Sequence, residues 1–282
     1  MKPTILFLTL LTLTLIPTRA QDTISLLIAH TNDTHSTILP LSPVNPDTTF
    51  ADKAGYVRRA TLLNSLRQDN PSLLLFDSGD FCQGSAFYTL YKGETEIKLM
   101  NEMKYDAVAI GNHEFDYGLD NMTRIFLMAN FPIVCANYHF HNAPLDTIVK
   151  PYTVITRGPI KIGVFGLGTQ LEGMVAKNNY AGVTYEDPAT AANRTALILK
   201  DSLGCDLVVC LSHLGWQEPD ATSDDNIIPA LHNVDIILGA HSHTYFSEPV
   251  TATDADGHTV YINQMGKHGR FLGTLRLLLT KE

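Results

Sequence analysis

The sequence predicts an α/β protein with mixed sheets. Short apolar runs typical of buried strands alternate with segments whose apolar residues recur at helical spacing, and this alternation indicates α/β layers. The runs 152–156 and 160–165 flank Gly158-Pro159 and predict a β-hairpin, so the sheet cannot be purely parallel. The 45% hydrophobic and 17% charged content is that of an ordinary globular chain, long enough for a sizeable core.

The elements can be placed in order along the chain. Strands are predicted at 23–30, 72–76, 106–110, from 133, and at 152–156, 160–165, 206–211, 234–238, 259–263 and 272–279. Helices are predicted at 52–66, 95–103, about 119–129, 187 to about 203, and 227–231. The segment 138–149 is expected to be a polar insertion, and 36–50, which contains three prolines, a long loop.

The N-terminus predicts export. It begins with Lys2, continues with the apolar run 5–16 and ends in small residues up to Ala20, which is the pattern of a cleaved signal peptide over residues 1–20. The apolar run is shorter than the roughly 20 residues of a membrane-spanning helix; an uncleaved anchor is the alternative. We therefore expect a periplasmic or secreted protein without a membrane span, whose residues 21–282 form one domain.

The net charge limits which partners the protein can bind, and the positions of the cysteines indicate the state of their thiols. The formal charge is −9, and loss of Lys2 and Arg19 with the signal makes it −11. A net acidic chain argues against nucleic acid as a partner, but bound metal ions can still attract small phosphates. Four cysteines lie in or near apolar strands or in a turn (Cys82, Cys135, Cys205 and Cys210), and we expect free thiols there.

Five predicted strands end in turns rich in metal-ligand side chains. These turns are Asn32-Asp33-Thr34-His35, Asp77-Ser78-Gly79-Asp80, Gly111-Asn112-His113, Ser212-His213-Leu214-Gly215 and Gly239-Ala240-His241-Ser242-His243. In an extended backbone, residues two apart point the same way, so each Asp-x-His or His-x-His pair can aim two ligands at one place. Carboxylate and imidazole without thiolate suit Zn, Mn, Fe or Co. The ligands suffice for two ions with Asp80 between them, which suggests a two-metal hydrolytic site.

The order of these motifs resembles the calcineurin-like metallophosphoesterases. More narrowly, the turns at 32–35, 79–84 and 111–116 look like the catalytic domain of the 5′-nucleotidase / UDP-sugar hydrolase family, and the similarity covers residues 22–280. The resemblance implies a four-layer α/β/β/α sandwich with two mixed sheets and two divalent metal ions. It also implies a hydrolase of phosphate esters, with nucleoside 5′-monophosphates as the expected substrates.

The resemblance also implies a role for each matching residue. One metal would be held by Asp33, His35 and His243, the other by Asn112, His213 and His241, with Asp80 bridging both. His113 would not be a ligand but would stabilise charge on the transferring phosphoryl group or protonate the leaving oxygen, oriented by Asp116. At the position of His243 some relatives carry Gln or Asn, so the metal preference could differ.

The main difference between this sequence and the family concerns the part of the protein that recognises the substrate. Full-length 5′-nucleotidases have a second, C-terminal domain that holds the nucleotide. The aromatic and basic residues after His243 are expected to pack locally instead (Tyr245, Phe246, Tyr261, Arg270 and Phe271). We therefore expect small phosphate esters as substrates, with a recognition domain possible on a separate chain. The alternatives are a stand-alone phosphodiesterase or broad phosphatase and a non-catalytic metal-binding protein.

Polar residues outside these roles are expected to be structural. His30 is predicted to be a packed strand-end residue, and Glu114 to cap the turn that follows it. Asp77 is equally compatible with packing and with support of Asp80. Four histidines outside the motif turns are expected at the surface: His139, His141, His258 and His268.

Overall fold

The computed structural model describes residues 23–141, 143–219 and 222–280. The predicted signal peptide, residues 1–20, lies outside the described residues. Two six-stranded sheets and a two-stranded ribbon carry the strands of the described chain. Each large sheet contains both parallel and antiparallel neighbours, so the predicted α/β class with mixed sheets is confirmed.

The elements follow one another with short connections. The strands are β1 (Thr23–Thr31), β2 (Leu74–Asp77), β3 (Ala107–Ala109), β4 (Ile133–Val134), β5 (Tyr138–Phe140), β6 (Val149–Lys150), β7 (Tyr152–Arg157), β8 (Ile160–Leu167), β9 (Val183–Tyr185), β10 (Leu207–Ser212), β11 (Ile236–Leu238), β12 (Val250–Thr253), β13 (Thr259–Asn263) and β14 (Gly273–Thr280). The α-helices are α1 (Tyr56–Asp69), α2 (Ala86–Tyr91), α3 (Glu94–Met103), α4 (Gly118–Phe126), α5 (Ala143–Ile148), α6 (Pro188–Leu197) and α7 (Asp224–Ile227). None of the helices in this described part combines the length and apolarity needed to cross a membrane.

The two sheets pack against each other and against helices. The first sheet has the order β14-β1-β2-β3-β4-β6, and the second β12-β13-β11-β10-β8-β7. One apolar core joins facing residues of the two sheets, such as Ile28 and Val209. A second core joins the outer face of the first sheet to α1, α3 and α4, and a third joins the second sheet to α6 and α7. Because each sheet is covered on both faces, its inner strands are apolar throughout, as the sequence runs predicted.

Strand direction places the polar turns at one edge of the molecule. β1, β2, β3 and β4 are parallel, as are β8, β10, β11 and β13. Their carboxyl ends therefore lie side by side in each sheet. Across the sheets, the Ser78 hydroxyl donates to the Leu238 carbonyl at 2.7 Å, which ties the end of β2 to the end of β11.

The segment 138–149 was wrongly predicted to be a polar insertion. It contains β5, α5 and β6; β5 pairs antiparallel with β9, and Tyr138 and Phe140 are buried. The alternation of aromatic and polar residues through Tyr138, His139, Phe140 and His141 is the period of a half-buried strand. Because His139 and His141 are polar, the segment was not recognised as a strand. Both histidines face solvent, as expected.

Two smaller predictions also need correction. Helix α1 was predicted from residue 52 but begins at Tyr56, because Asp52, Ala54 and Gly55 have φ of 52°, 65° and 97°, which no α-helix accommodates. The short strands β9 and β12 were not predicted. The four cysteines are free and buried, as expected for core thiols.

Candidate metal centre

The five predicted turns meet at the shared edge of the two sheets. The bonds between them are direct: the Asp33 amide donates to the Gly79 carbonyl at 3.0 Å, and the His241 amide donates to the Asp33 carboxylate at 3.0 Å. Residues separated by more than 200 positions are thereby in contact. The resulting cluster contains six of the seven predicted metal ligands, all except Asn112, and the predicted pair His113 and Asp116.

The backbone of the cluster is unusually constrained. Five of the predicted ligands have left-handed φ: Asp33 (47°), His35 (42°), Asp80 (55°), His241 (70°) and His243 (56°). This conformation is uncommon for non-glycine residues and costs on the order of 1 kcal/mol or more each. Gly79 is needed for another reason: a Cβ there would lie 2.5 Å from the Gly111 amide nitrogen. Such strain concentrated in one place indicates a functional site rather than five ordinary turns.

A first ligand group combines Asp33, His35 and His243. Their potential ligand atoms all lie within 4.8 Å of one another. The Nε2 atoms of His35 and His243 are 2.9 Å apart. The Asp33 carboxylate oxygen Oδ1 lies 3.6 Å from His243 Nε2. Asp33 and His35 converge as predicted, but through left-handed φ and not through the extended backbone that the i, i+2 argument assumed. The other i, i+2 pair, His241 and His243, is divided between two ligand groups.

A second group combines Asp80, His213 and His241 within the same 4.8 Å limit. The Ser78 carbonyl can only accept, so His213 donates from Nδ1 at 2.8 Å and turns its Nε2 toward the Asp80 carboxylate, 3.1 Å away. Asn112, the residue before His113, is buried, and its Oδ1 has no hydrogen-bond partner in the described structure. Asp80 also groups with His35 and His113, which places its carboxylate between the two ligand sets.

The electrostatics of the cluster fit divalent cations. Burial lowers the pKa of His35 to about 3 and those of His241 and His243 to about 4, so each ring keeps a lone pair available for a metal. Burial, with the charge of Asp80 contributing, raises the pKa of Asp33 to about 8. Buried carboxylates this close repel one another, and a cation between them would remove that repulsion. Burial opposes protonation of His213, but the charge of Asp80 and the hydrogen bond to it outweigh burial and raise the pKa of His213 to about 10, so this ring must release a proton when a metal binds. The donor set itself fits two divalent ions.

His113 and Asp116 form a pair of a different kind. His113 Nδ1 lies 3.0 Å from Asp116 Oδ2, and both side chains are about one-third exposed. Burial opposes protonation of His113, but the hydrogen bond to Asp116 and the charge of Asp80 outweigh it and raise its pKa to about 9. The hydrogen bond to Asp116 thus favours the imidazolium form of His113, which lies beside the ligand groups and can donate a hydrogen bond to an anion.

Two contributors were not identified from the sequence. His268 was wrongly expected at the surface: its ring centroid lies 5.7 Å from that of His35, and Thr37 Oγ1 is 3.1 Å from its Nδ1. Asn32 donates from Nδ2 to the Asp33 carboxylate at 2.6 Å. His268 follows a strand in a part of the chain with no ligand motif, so only the fold could place it here; Asn32 was part of a motif but was given no role.

The remaining predictions concern neighbouring side chains. Asp77 accepts from the Gly79 amide at 2.9 Å and so supports the turn that carries Asp80. Tyr245 and Phe271 stack on each other with centroids 4.2 Å apart, in agreement with the local packing expected for them. His30 is fully buried, also as expected.

Comparison with known proteins agrees with this geometry. The family profile of the calcineurin-like phosphoesterases matches residues 26–245. A snake venom 5′-nucleotidase of Crotalus adamanteus is 32% identical over 277 residues, which cover 92% of this chain and 46% of that protein. The 5′-nucleotidase of Homo sapiens is 31% identical, with 89% and 46% coverage. The chain thus spans about half the length of these relatives, the extent expected of a catalytic domain alone.

Solved structures show the same fold. A 5′-nucleotidase precursor from Thermus thermophilus superposes with a TM-score of 0.77 at 27% identity, over 91% of this chain and 55% of that one. A calcineurin-like phosphoesterase from Bacillus subtilis gives 0.76 at 26% identity, over 93% and 87%. Together with the profile match, these similarities show that the chain belongs to the calcineurin-like phosphoesterase family of metal-dependent phosphoric ester hydrolases.

Proposed function

We propose that this protein is a dimetal phosphomonoesterase that hydrolyses nucleoside 5′-monophosphates. The observation that carries the proposal is one shared carboxylate, Asp80, lying between two ligand groups and directly beside the imidazolium of His113. Two cations and a hydrogen-bond donor around one point are what a phosphate ester needs for hydrolysis.

The proposal assigns each ligand. One ion is held by Asp33, His35 and His243, the other by Asn112, His213 and His241, and Asp80 contributes to both. The distances among Asp33, His35 and His243 and among Asp80, His213 and His241 support this assignment. So do the lone pairs of the neutral His35, His241 and His243 rings. Asn112 is included on the family resemblance, and its buried, unpartnered Oδ1 is compatible with a ligand role. Bound there, the ions would neutralise the phosphoryl charge and lower the pKa of a water molecule.

The protein's own contribution to the chemistry lies in His113 and Asp116. The His113 ring, bonded at Nδ1 to Asp116, carries its second proton on Nε2. From that atom it can donate to a phosphoryl oxygen or pass the proton to the leaving oxygen. Asp116 fixes the ring orientation and keeps the charged form favoured at neutral pH.

The choice of nucleotides as substrates comes from the relatives named 5′-nucleotidase. Because the chain spans about half their length, we include in the proposal a separate chain that supplies a recognition domain. One observation favours the alternative of a stand-alone phosphodiesterase or broad phosphatase: the chain covers 87% of the Bacillus subtilis phosphoesterase, far more than of any nucleotidase compared above. A non-catalytic metal-binding protein is disfavoured by the intact pair of His113 and Asp116.

The proposal also covers the domain organisation of the chain and its location outside the cytoplasm. Residues 21–282 act as one catalytic domain, and residues 1–20 direct export to the periplasm or the medium. The basic start, apolar run and small residues at the N-terminus support this location.

A substrate panel tests the function. Phosphate or alcohol release is measured with AMP, ribose 5-phosphate, an aryl phosphate and a bis-aryl phosphodiester, with Mn²⁺ or Zn²⁺ and after chelation. The panel is run with and without a candidate recognition-domain protein. The proposal expects metal-dependent release, with AMP preferred over the aryl phosphate when that protein is present. Equal rates on all monoesters under both conditions would favour the broad phosphatase, a preferred diester would favour the phosphodiesterase, and binding of metal without turnover would reject catalysis.

A further inference from the structure

Glu114 is a buried acid with an unusual set of partners. It lies in the short 3-10 helix His113–Phe115 and is only 1% exposed. Its Oε2 accepts the amide N–H of Asp80 at 2.9 Å and that of Gly111 at 2.7 Å. Its Oε1 accepts the amide N–H of Cys82 at 3.1 Å. A single carboxylate thus holds the turn after β2 and the turn after β3.

These bonds determine how the Asp80 side chain is presented. Asp80 lies three residues beyond the end of β2, outside the sheet, and Glu114 provides the acceptor for its N–H. The Asp80 carboxylate then accepts the amide N–H of His113 at 2.9 Å. Asp80, His113 and Glu114 therefore form a closed hydrogen-bonded loop. Within it the Glu114 carboxylate holds the backbone of both the turn after β2 and the turn after β3.

We propose that Glu114 is a positioning residue that sets the orientation of the Asp80 carboxylate relative to both ligand groups and to His113. This inference rests on the proposed dimetal function. Glu114 itself belongs to none of the ligand groups among the described residues, and the lone pairs it turns to the three N–H donors are not available to a metal. It acts through Asp80.

The structure offers a matched control. Glu96 is also fully buried near the cluster, but its carboxylate accepts the hydroxyl of Ser36 rather than backbone amides of the ligand turns. Loss of the negative charge at Glu96 changes one side-chain contact. Loss of a carboxylate oxygen at Glu114 leaves a backbone N–H of a ligand turn facing an amide NH₂, which repels it.

The test compares Glu114→Gln with Glu96→Gln in the full protein. Mn²⁺ binding is measured by calorimetry, and the spin coupling of the two Mn²⁺ ions by electron paramagnetic resonance. For Glu114→Gln we expect about 10- to 100-fold weaker Mn²⁺ binding, by analogy with other residues that support metal ligands, and loss of the coupled signal. For Glu96→Gln we expect wild-type binding and coupling.

Two results decide the inference. If Glu114→Gln folds, binds two Mn²⁺ with wild-type affinity and retains the coupled signal, the positioning role is rejected. If it does not fold, Glu114→Asp replaces it, and wild-type Mn²⁺ binding and coupling in that shorter acid likewise reject the role. Failure of the proposed function looks different: wild-type protein would bind coupled Mn²⁺ but release no phosphate from any ester.

Discussion

Replacing His30 by Leu should make the protein more resistant to acid. His30 lies in β1 and is fully buried, and neither ring nitrogen has a hydrogen-bond partner in the described structure. Gly273 on β14 packs directly on the ring, since a Cβ there would overlap it. Burial lowers the pKa of His30 from 6.5 to about 3.

The size of the effect follows from this shift. The folded protein holds His30 neutral, whereas the unfolded chain takes up a proton below pH 6.5. The contribution of neutral His30 to the free energy of unfolding is therefore fully present above pH 6.5 and is lost as the pH falls toward 3. At 1.36 kcal/mol per pH unit, the wild type should lose about 3 kcal/mol between pH 7 and pH 4 through this residue, and His30→Leu should not.

Urea unfolding followed by the fluorescence of Trp216, the only tryptophan, measures the difference. The metal-free protein is used, so that proton release from metal ligands does not contribute. The expected result is that the free energy of unfolding of His30→Leu relative to wild type rises by about 3 kcal/mol on going from pH 7 to pH 4. An exposed control, His258→Leu (77% exposed), should show no such change. If the free energy of unfolding of His30→Leu differs from that of the wild type by the same amount at pH 7 and pH 4, the reasoning is refuted.

Three further variants test the site and the fold. His113→Ala should lower kcat by about 10²- to 10⁴-fold because it removes a proton donor, while Mn²⁺ content measured by mass spectrometry stays at wild-type level; a parallel loss of metal would show that His113 is a ligand. Asp80→Asn should weaken both Mn²⁺ equivalents in calorimetry because both ligand groups meet at this carboxylate, and loss of one equivalent only would argue against a shared ligand. Gly166→Ala should cost about 1–3 kcal/mol in urea unfolding, because its Cβ would overlap the Val134 carbonyl where the two sheets meet; unchanged stability would mean that this contact can relax.

The parts that were predictable from the sequence depend on local signals. Apolar runs that end in Asp, Asn or His predicted which strand ends carry the ligands, and parallel strands bring such ends together without further information. The i, i+2 spacing predicted that Asp33 and His35 converge, and they lie within ligand distance, although a left-handed backbone and not the assumed extended one brings them together. The hairpin around Gly158-Pro159 followed from turn chemistry in the same way.

The missing parts depend on contacts between distant segments. His268 meets Thr37 across 231 residues, and no local pattern marks it. Glu114 was expected to cap the turn that follows it, yet its carboxylate accepts the amides of Asp80 and Cys82, more than 30 residues earlier. The left-handed backbone at Asp80 and His241 is likewise not required by either residue type, so the sequence could not predict it.

The central claim is that hydrolysis needs two ions at one shared carboxylate. The most direct measurement is phosphate release from AMP while metal-free protein is titrated with Mn²⁺ of known concentration. The account predicts that release rises to its maximum only as the second equivalent per chain binds, and that chelation abolishes it. Full release with no metal, or a maximum reached at one equivalent, would contradict it.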